Sequence, residues 1–229
     1  MVGPQFCSGI IKVSLLPTAI TPAISAYLSK LQPIDDDLLK ELKFRSETAG
    51  IPSIHISEDE AAFLQFLVKS LKFERILEIG TLAGYSSIVM GRALSETGSI
   101  LTLELNPLHV GFANRFIQRA GLPNKIYVRE GDARKSLKAL ESEPFDFIFI
   151  DADKPSYDYY FEICMEKFVR PGTLFGFDNA LAFGNIADEN DQTEEVAAIR
   201  EINKKLFSDP RLDCVLVPVG DGLLLGRVK

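Results

Sequence analysis

Sulfur and imidazole are scarce in this chain of 229 residues, which carries only Cys7, Cys164 and Cys214 and the two histidines His55 and His109. Three cysteines are an odd number, lie far apart and form no CxxC pair, so neither a disulfide framework nor a zinc knuckle can be built. Two histidines exclude any site made of several imidazoles, so a metal bound here must be held by oxygen. An excess of basic charge is missing as well. With 25 Lys and Arg against 32 Asp and Glu, the net charge is −7. That disfavours a broad phosphate-binding face, and with it general nucleic-acid binding, while leaving room for a small basic patch that meets one particular RNA. No run reaches the ~18 apolar residues of a membrane span. The opening stretch 1–17 is apolar but broken by Gln5, Ser8 and Lys12, without a basic start. It reads as an irregular N-terminal extension and not as a signal peptide. A soluble cytoplasmic protein is expected.

What the chain does have is apolar content, 46% of its side chains, spread evenly along its length. That excludes disorder and, at roughly 150 residues per domain, favours one large α/β unit over two small ones. The expected organisation is the extension 1–17 followed by a single domain over 18–229, with N-terminal helices within 20–72. Residues 20–50 read as helical, with an acidic start at Asp35 to Asp37. A second helix is expected from Ser57, because Ser57 and Glu60 have the S-x-x-E spacing of a capping box, in which each side chain satisfies a backbone N–H of the first turn.

From Arg75 the pattern changes to short apolar runs at 75–79, 100–105, 125–129, 145–150 and 173–177. Helical patterns separate them at 86–94, 107–120, 133–140 and 157–168. This alternation predicts a parallel sheet covered by helices on both faces. After a long helix over 193–207, strands at 212–218 and 223–228 are separated only by Val219-Gly220-Asp221-Gly222, which predicts an antiparallel hairpin at the end of the sheet.

Ligands of open α/β sheets bind beyond the carboxyl ends of the strands. The first strand runs into Glu78-Ile79-Gly80-Thr81-Leu82-Ala83-Gly84-Tyr85-Ser86. The glycines permit a tight turn and close approach of a ligand, and Ser86 opens the next helix. The pattern is not GxGxxG. A carboxylate at Glu78 would repel a pyrophosphate but attract the ammonium group of an amino-acid-like ligand such as S-adenosylmethionine; the alternative is a solvated glutamate beside a structural turn. Glu104 ends the second strand, 24 residues past Gly80, well placed to accept the two ribose hydroxyls of an adenosine. Asp132 follows the third strand, where it can cap a helix, meet an adenine amino group, or do both. Asp151 follows the fourth strand, and Asp178 and Asn179 follow the fifth. If those strands are neighbours, three side chains present oxygen to one point, and a hard divalent ion such as Mg²⁺ would relieve the repulsion between the two carboxylates. The alternative is that each aspartate merely caps a helix.

These residues resemble a family. The run Leu77 to Ser86, the acid Glu104, Gly131-Asp132-Ala133, the run Phe149 to Lys154, the later Asp178-Asn179 and the hairpin Pro218 to Gly222 are similar to the cation-dependent class I O-methyltransferases. Those are the caffeoyl-CoA and catechol O-methyltransferase relatives, and the likeness is to their bacterial small-molecule branch. The resemblance implies a Rossmann-like seven-stranded sheet with its last strand antiparallel, and a homodimer. It places S-adenosylmethionine against Ile56, Glu78, Gly80, Thr81, Ser86, Glu104, Asp132, Ala133, Asp151 and Asp153. The metal falls on Asp151, Asp178 and Asn179, with Mg²⁺ first and Ca²⁺ or Mn²⁺ as substitutes. Lys154 takes the position of the candidate base, assisted by Asp151, and a neighbouring cation is expected to depress its pKa. One feature departs from the family pattern. After the Asp-Asn pair the family shows a leucine, a tryptophan and a polar residue, whereas here Ala180 to Gly184 follow and the chain has no tryptophan. Phe183 either supplies the missing aromatic surface or fills the core.

The function expected is metal-dependent methylation of a small vicinal dihydroxy aromatic. Three other readings stand beside it. One is a tRNA 5-hydroxyuridine O-methyltransferase with a basic patch of Lys30, Lys40, Lys43 and Arg45. Another is a non-catalytic S-adenosylmethionine binder, against which the acids and Lys154 count. The last, a nicotinamide dehydrogenase, is weakened by Glu78 and the missing GxGxxG.

Overall fold

The computed structural model describes residues 18–229; the expected extension 1–17 lies outside them. Of the described residues, 18–33 belong to one compact unit and Ile34–Lys229 form the other. The first unit contains helix α1 (Pro22–Leu31), started by Thr21, whose hydroxyl accepts from the Ile24 N–H at 3.3 Å. The single helix expected over 20–50 is therefore corrected to two. Pro33 cannot continue a helix, and Asp36 caps a fresh one, α2 (Asp37–Thr48), by accepting from Leu39 N–H at 3.0 Å.

The second unit continues with α3 (Glu58–Leu71), β1 (Arg75–Ile79), α4 (Tyr85–Gly91), β2 (Ser99–Glu104), α5 (Pro107–Arg119) and β3 (Ile126–Glu130). It then runs through α6 (Ala133–Ala139), β4 (Phe147–Ile150), α7 (Tyr157–Lys167), β5 (Leu174–Phe177), α8 (Glu194–Ser208), β6 (Leu212–Val217) and β7 (Leu223–Val228). The seven strands form one sheet in the order β3-β2-β1-β4-β5-β7-β6. All neighbours pair parallel except β7, which runs antiparallel to both β5 and β6. The expected fold class is the one observed.

Alternation along the strands sends side chains to two cores. Ile76, Phe147 and Phe149 pack on one face with Leu39 and Leu42 of α2, Leu64 and Val68 of α3 and Val89 of α4. Leu77, Ile79, Ile148, Ile150 and Phe177 pack on the other with Leu137 of α6, Phe161 of α7 and Leu206 of α8. Strands buried on both faces read as near-continuous apolar runs, which is why Phe147-Ile148-Phe149-Ile150 is entirely buried. The order of connection reverses between β1 and β4, and a crevice opens at such a reversal beyond the strand ends.

Candidate active site at the carboxyl edge of the sheet

The crevice is closed at its base by a backbone contact. A Cβ on Gly80, at φ +105°, would lie 2.0 Å from the Asp151 carbonyl oxygen. Only glycine fits, because the chain leaving β4 passes directly over it. The turn that follows is tied to β2. Glu104 accepts from Leu82 N–H at 2.9 Å through Oε2, and from Asn106 N–H at 2.9 Å and His109 Nδ1 at 3.2 Å through Oε1.

Glu78 is fully buried, not solvated. It accepts from the hydroxyl of Ser86 at 2.6 Å and from that of Ser87, both in the first turn of α4. Burial pushes its pKa up to about 7, against hydrogen bonds from Ser86, Ser87 and Thr102 that pull it down. Thr81 shares a 2.6 Å hydroxyl contact with Thr102. Tyr85, not Ser86, is the first residue of α4. Asp132 caps α6 by accepting from Arg134 N–H at 2.7 Å, and Ala133 is that helix's first residue. Asp153 accepts from the Tyr160 hydroxyl at 2.8 Å and from that of Ser156, which itself accepts from Arg134 at 2.6 Å. Ile56, buried, precedes the start of α3.

Asp151 and Asp178 follow Ile150 and Phe177, which are paired across β4 and β5. The Asp178 carboxyl is 3% exposed and accepts from Asn179 N–H at 2.6 Å. Burial, then the charge of Asp151, raises its pKa. Lys154 Nζ donates to Asp151 Oδ1 at 2.9 Å and to the Tyr157 hydroxyl at 2.8 Å, and that hydroxyl donates to the Asp178 carbonyl at 3.2 Å. Asn179 takes a left-handed conformation at φ 58° and donates through Nδ2 to Asp221 Oδ2 at 3.2 Å. Asp221 Oδ1 accepts from Phe183 N–H at 2.7 Å. Phe183 is 83% exposed, so it does not fill the core.

Four residues at or beside this crevice were not singled out for chemistry by the sequence: Tyr157, Asp221, His55 and Glu60. His55 is held neutral, its pKa lowered to about 4 by burial and then by Lys43, and it senses the Asp151 charge. Its Nε2 lies 3.1 Å from the Ser46 hydroxyl. Glu60 corrects the capping box. Ser57 does accept from Glu60 N–H at 3.4 Å, but the Glu60 side chain turns inward, 1% exposed, to lie beside Asp178. Burial and the neighbouring Asp178 raise its pKa. Of the basic residues considered for an RNA-facing patch, Lys43 is bonded to Asp35 at 2.7 Å and Arg45 to Glu41 at 2.5 Å.

Two buried or half-buried carboxylates and an amide are hard oxygen donors, and repulsion between the acids is what a cation would relieve. The donor chemistry therefore fits a hard divalent ion. Among the described residues no three carboxylate, imidazole or thiol side chains can hold a metal by themselves. An ion would thus draw on Asn179 and water as well. No described helix is long and apolar enough to cross a membrane.

Comparison with known proteins agrees with this architecture. A family model described as O-methyltransferase matches residues 25–229. The chain is 40% identical to a catechol O-methyltransferase of Niastella koreensis over 218 residues, covering 92% of this chain and 98% of that one. It is 35% identical to a putative caffeoyl-CoA O-methyltransferase of Arabidopsis thaliana, covering 96% and 95%. The solved O-methyltransferase from Bacillus cereus in complex with SAH superposes with a TM-score of 0.84 at 35% identity, covering 90% of this chain and 97% of that one. The chain belongs to the O-methyltransferase family.

Proposed function

We propose that the protein moves a methyl group from S-adenosylmethionine to one hydroxyl of a small vicinal dihydroxy aromatic, a catechol or caffeoyl-type phenol, assisted by a divalent cation, Mg²⁺ first. The observation that carries this reading is the pair Asp151 and Asp178 at the ends of adjacent strands, with Asp151 also pressed against the glycine turn at Gly80. The activities in the relatives' names and the SAH-bound neighbour support the donor and the acceptor class.

In this reading Glu78 fixes the first turn of α4, through Ser86 and Ser87, for the amino-acid end of the donor. Glu104 accepts the ribose hydroxyls, Asp132 and Ala133 border the adenine, and Ile56, Thr81 and Asp153 complete the enclosure. Asp151, Asp178 and Asn179 would hold the cation. A bound cation supplies positive charge that favours an ionised phenolic oxygen and aligns two neighbouring oxygens. The methyl group passes from sulfur to the phenolic oxygen, leaving S-adenosylhomocysteine, and that oxygen's proton passes to Lys154 Nζ in its neutral amine form. Tyr157 and Asp151 keep Nζ in place for this transfer. A homodimer and a cytoplasmic location complete the proposal; they rest on the resemblance and on composition alone, and light scattering of the purified protein tests the first.

The test is methyl transfer to a panel of catechols with and without EDTA. Transfer is expected and EDTA is expected to stop it. Asp178→Ala should lower turnover by roughly 10²-fold or more while donor affinity stays within about twofold. Transfer indifferent to EDTA would remove the cation from the mechanism, and equal loss of donor binding in Asp178→Ala would make that residue structural.

A further inference from the structure

Glu60 is a carboxylic acid at the third position of a helix, where exposed glutamates are common because they complement the helix N-terminus. Here it is 1% exposed. The local explanation, a reciprocal cap, is not realised. Its Oε1 has no hydrogen-bond donor although it is buried. Proteins rarely leave a buried polar atom unpaired without a ligand or water to satisfy it.

The surroundings are shaped around this side chain. A Cβ on Gly220, at φ +57°, would lie 2.4 Å from Glu60 Oε2 and 2.9 Å from Ser57 Oγ. The β6–β7 turn thus makes room for the carboxyl by having no side chain, and Gly220 N–H anchors it to the first turn of α3 through Asp59 at 3.2 Å. With Oε2 on the hairpin side, the group lies beside Asp178, and its buried Oε1 has no donor. Direct ligation in company with Asp151 and Asp178 is not what the geometry offers, since these acids do not converge as a three-acid ligand set.

We infer that Glu60 is the outer wall of the cation site, a positioning residue that backs Asp178 and offers its unpartnered oxygen to a water carried by the ion. This rests on the cation-assisted reading above. Outer partners of metal ligands commonly set affinity by 10–100-fold.

The experiment titrates Mn²⁺ into metal-free full-length protein and follows free Mn²⁺ by its electron paramagnetic resonance signal, with binding of S-adenosylhomocysteine measured alongside. Glu60→Gln is expected to bind Mn²⁺ at least about tenfold more weakly than the parent and S-adenosylhomocysteine within about twofold of it. Gly220→Ala pushes on the same carboxyl from the other side and is expected to weaken Mn²⁺ binding too, and it carries the test alone if Glu60→Gln does not fold. Parent-like Mn²⁺ affinity in the folded Glu60→Gln protein, or in Gly220→Ala should that be the only folded variant, overturns the inference and leaves the cation-assisted reading standing. A parent protein that binds no Mn²⁺ overturns both.

Discussion

Glu78 shows how a single side chain couples the site to the stability of the fold. It lies on the sheet face shared by Ile76 and opposite Phe149 in the register, and burial raises its pKa to about 7 from an ordinary 4.5. A raised acid favours the folded state while protonated. Its contribution is fully present below about pH 4.5 and is lost as pH rises through about 7, a swing on the order of 3 kcal/mol. Glu78→Gln removes that dependence. The melting temperature of the parent relative to the variant is therefore expected to fall between pH 5 and pH 8, by several degrees at ~2–4 °C per kcal/mol. Melting curves at five pH values check this, and a constant difference would contradict it. Glu60 carries the complementary lesson about reading sequences. Its spacing from Ser57 had a complete local explanation, so nothing in the string Ser57-Glu58-Asp59-Glu60 indicated a side chain turned towards Asp178, 118 positions away.

At the scale of elements, the strands were legible because β-branched and aromatic residues cluster in runs that only a doubly covered sheet can bury. Their ends were less so. The fourth strand begins at Phe147, later than its apolar run suggests. The Asp146 carboxylate there accepts from the N–H groups of Glu74 and Arg75 at 2.7 and 2.9 Å, tying down the start of β1. The break between α1 and α2 was written in Pro33 and Asp36, yet residues 20–50 read as one helical stretch. The turn between β1 and α4 yields a prediction of its own. Gly80→Ala must displace the Asp151 backbone or leave its own positive φ, and both are costly. Since backbone strain and overpacking each cost roughly 1–3 kcal/mol, the variant is expected to melt roughly 5–15 °C below the parent. It should also lose donor affinity. Calorimetry and S-adenosylhomocysteine titration read both, and a parent-like protein would mean the junction is looser than its geometry indicates.

At the scale of the whole molecule, the acids at the strand ends could be named from the sequence because topology brings strand ends together. Which of them face each other required the sheet order. The Asp221 contact with Asn179 and the Phe183 turn were hidden for the same reason, since they depend on where the final hairpin lands. Every described core side chain falls at Leu39 or later. A chain starting at Ile34 is therefore expected to unfold cooperatively within about 5 °C of the full chain, because ~2 kcal/mol or less is at stake when no described core residue is removed. Differential scanning calorimetry of the truncated protein decides this, and a broad, non-cooperative trace would show that residues before Ile34 are needed.

The placement of β7 has one more outcome, for biosynthesis. β7 is made after β5 and β6 and slots between them, so until then β5 has an unpaired flank, a sticky template for other nascent chains. The corner at Asn179 and Ala180 rests on the hairpin through Asp221 and Gly222, so it takes shape only once that hairpin has been made. A chain cut before Leu223 would lack β7, keep that flank of β5 unpaired and be prone to clump.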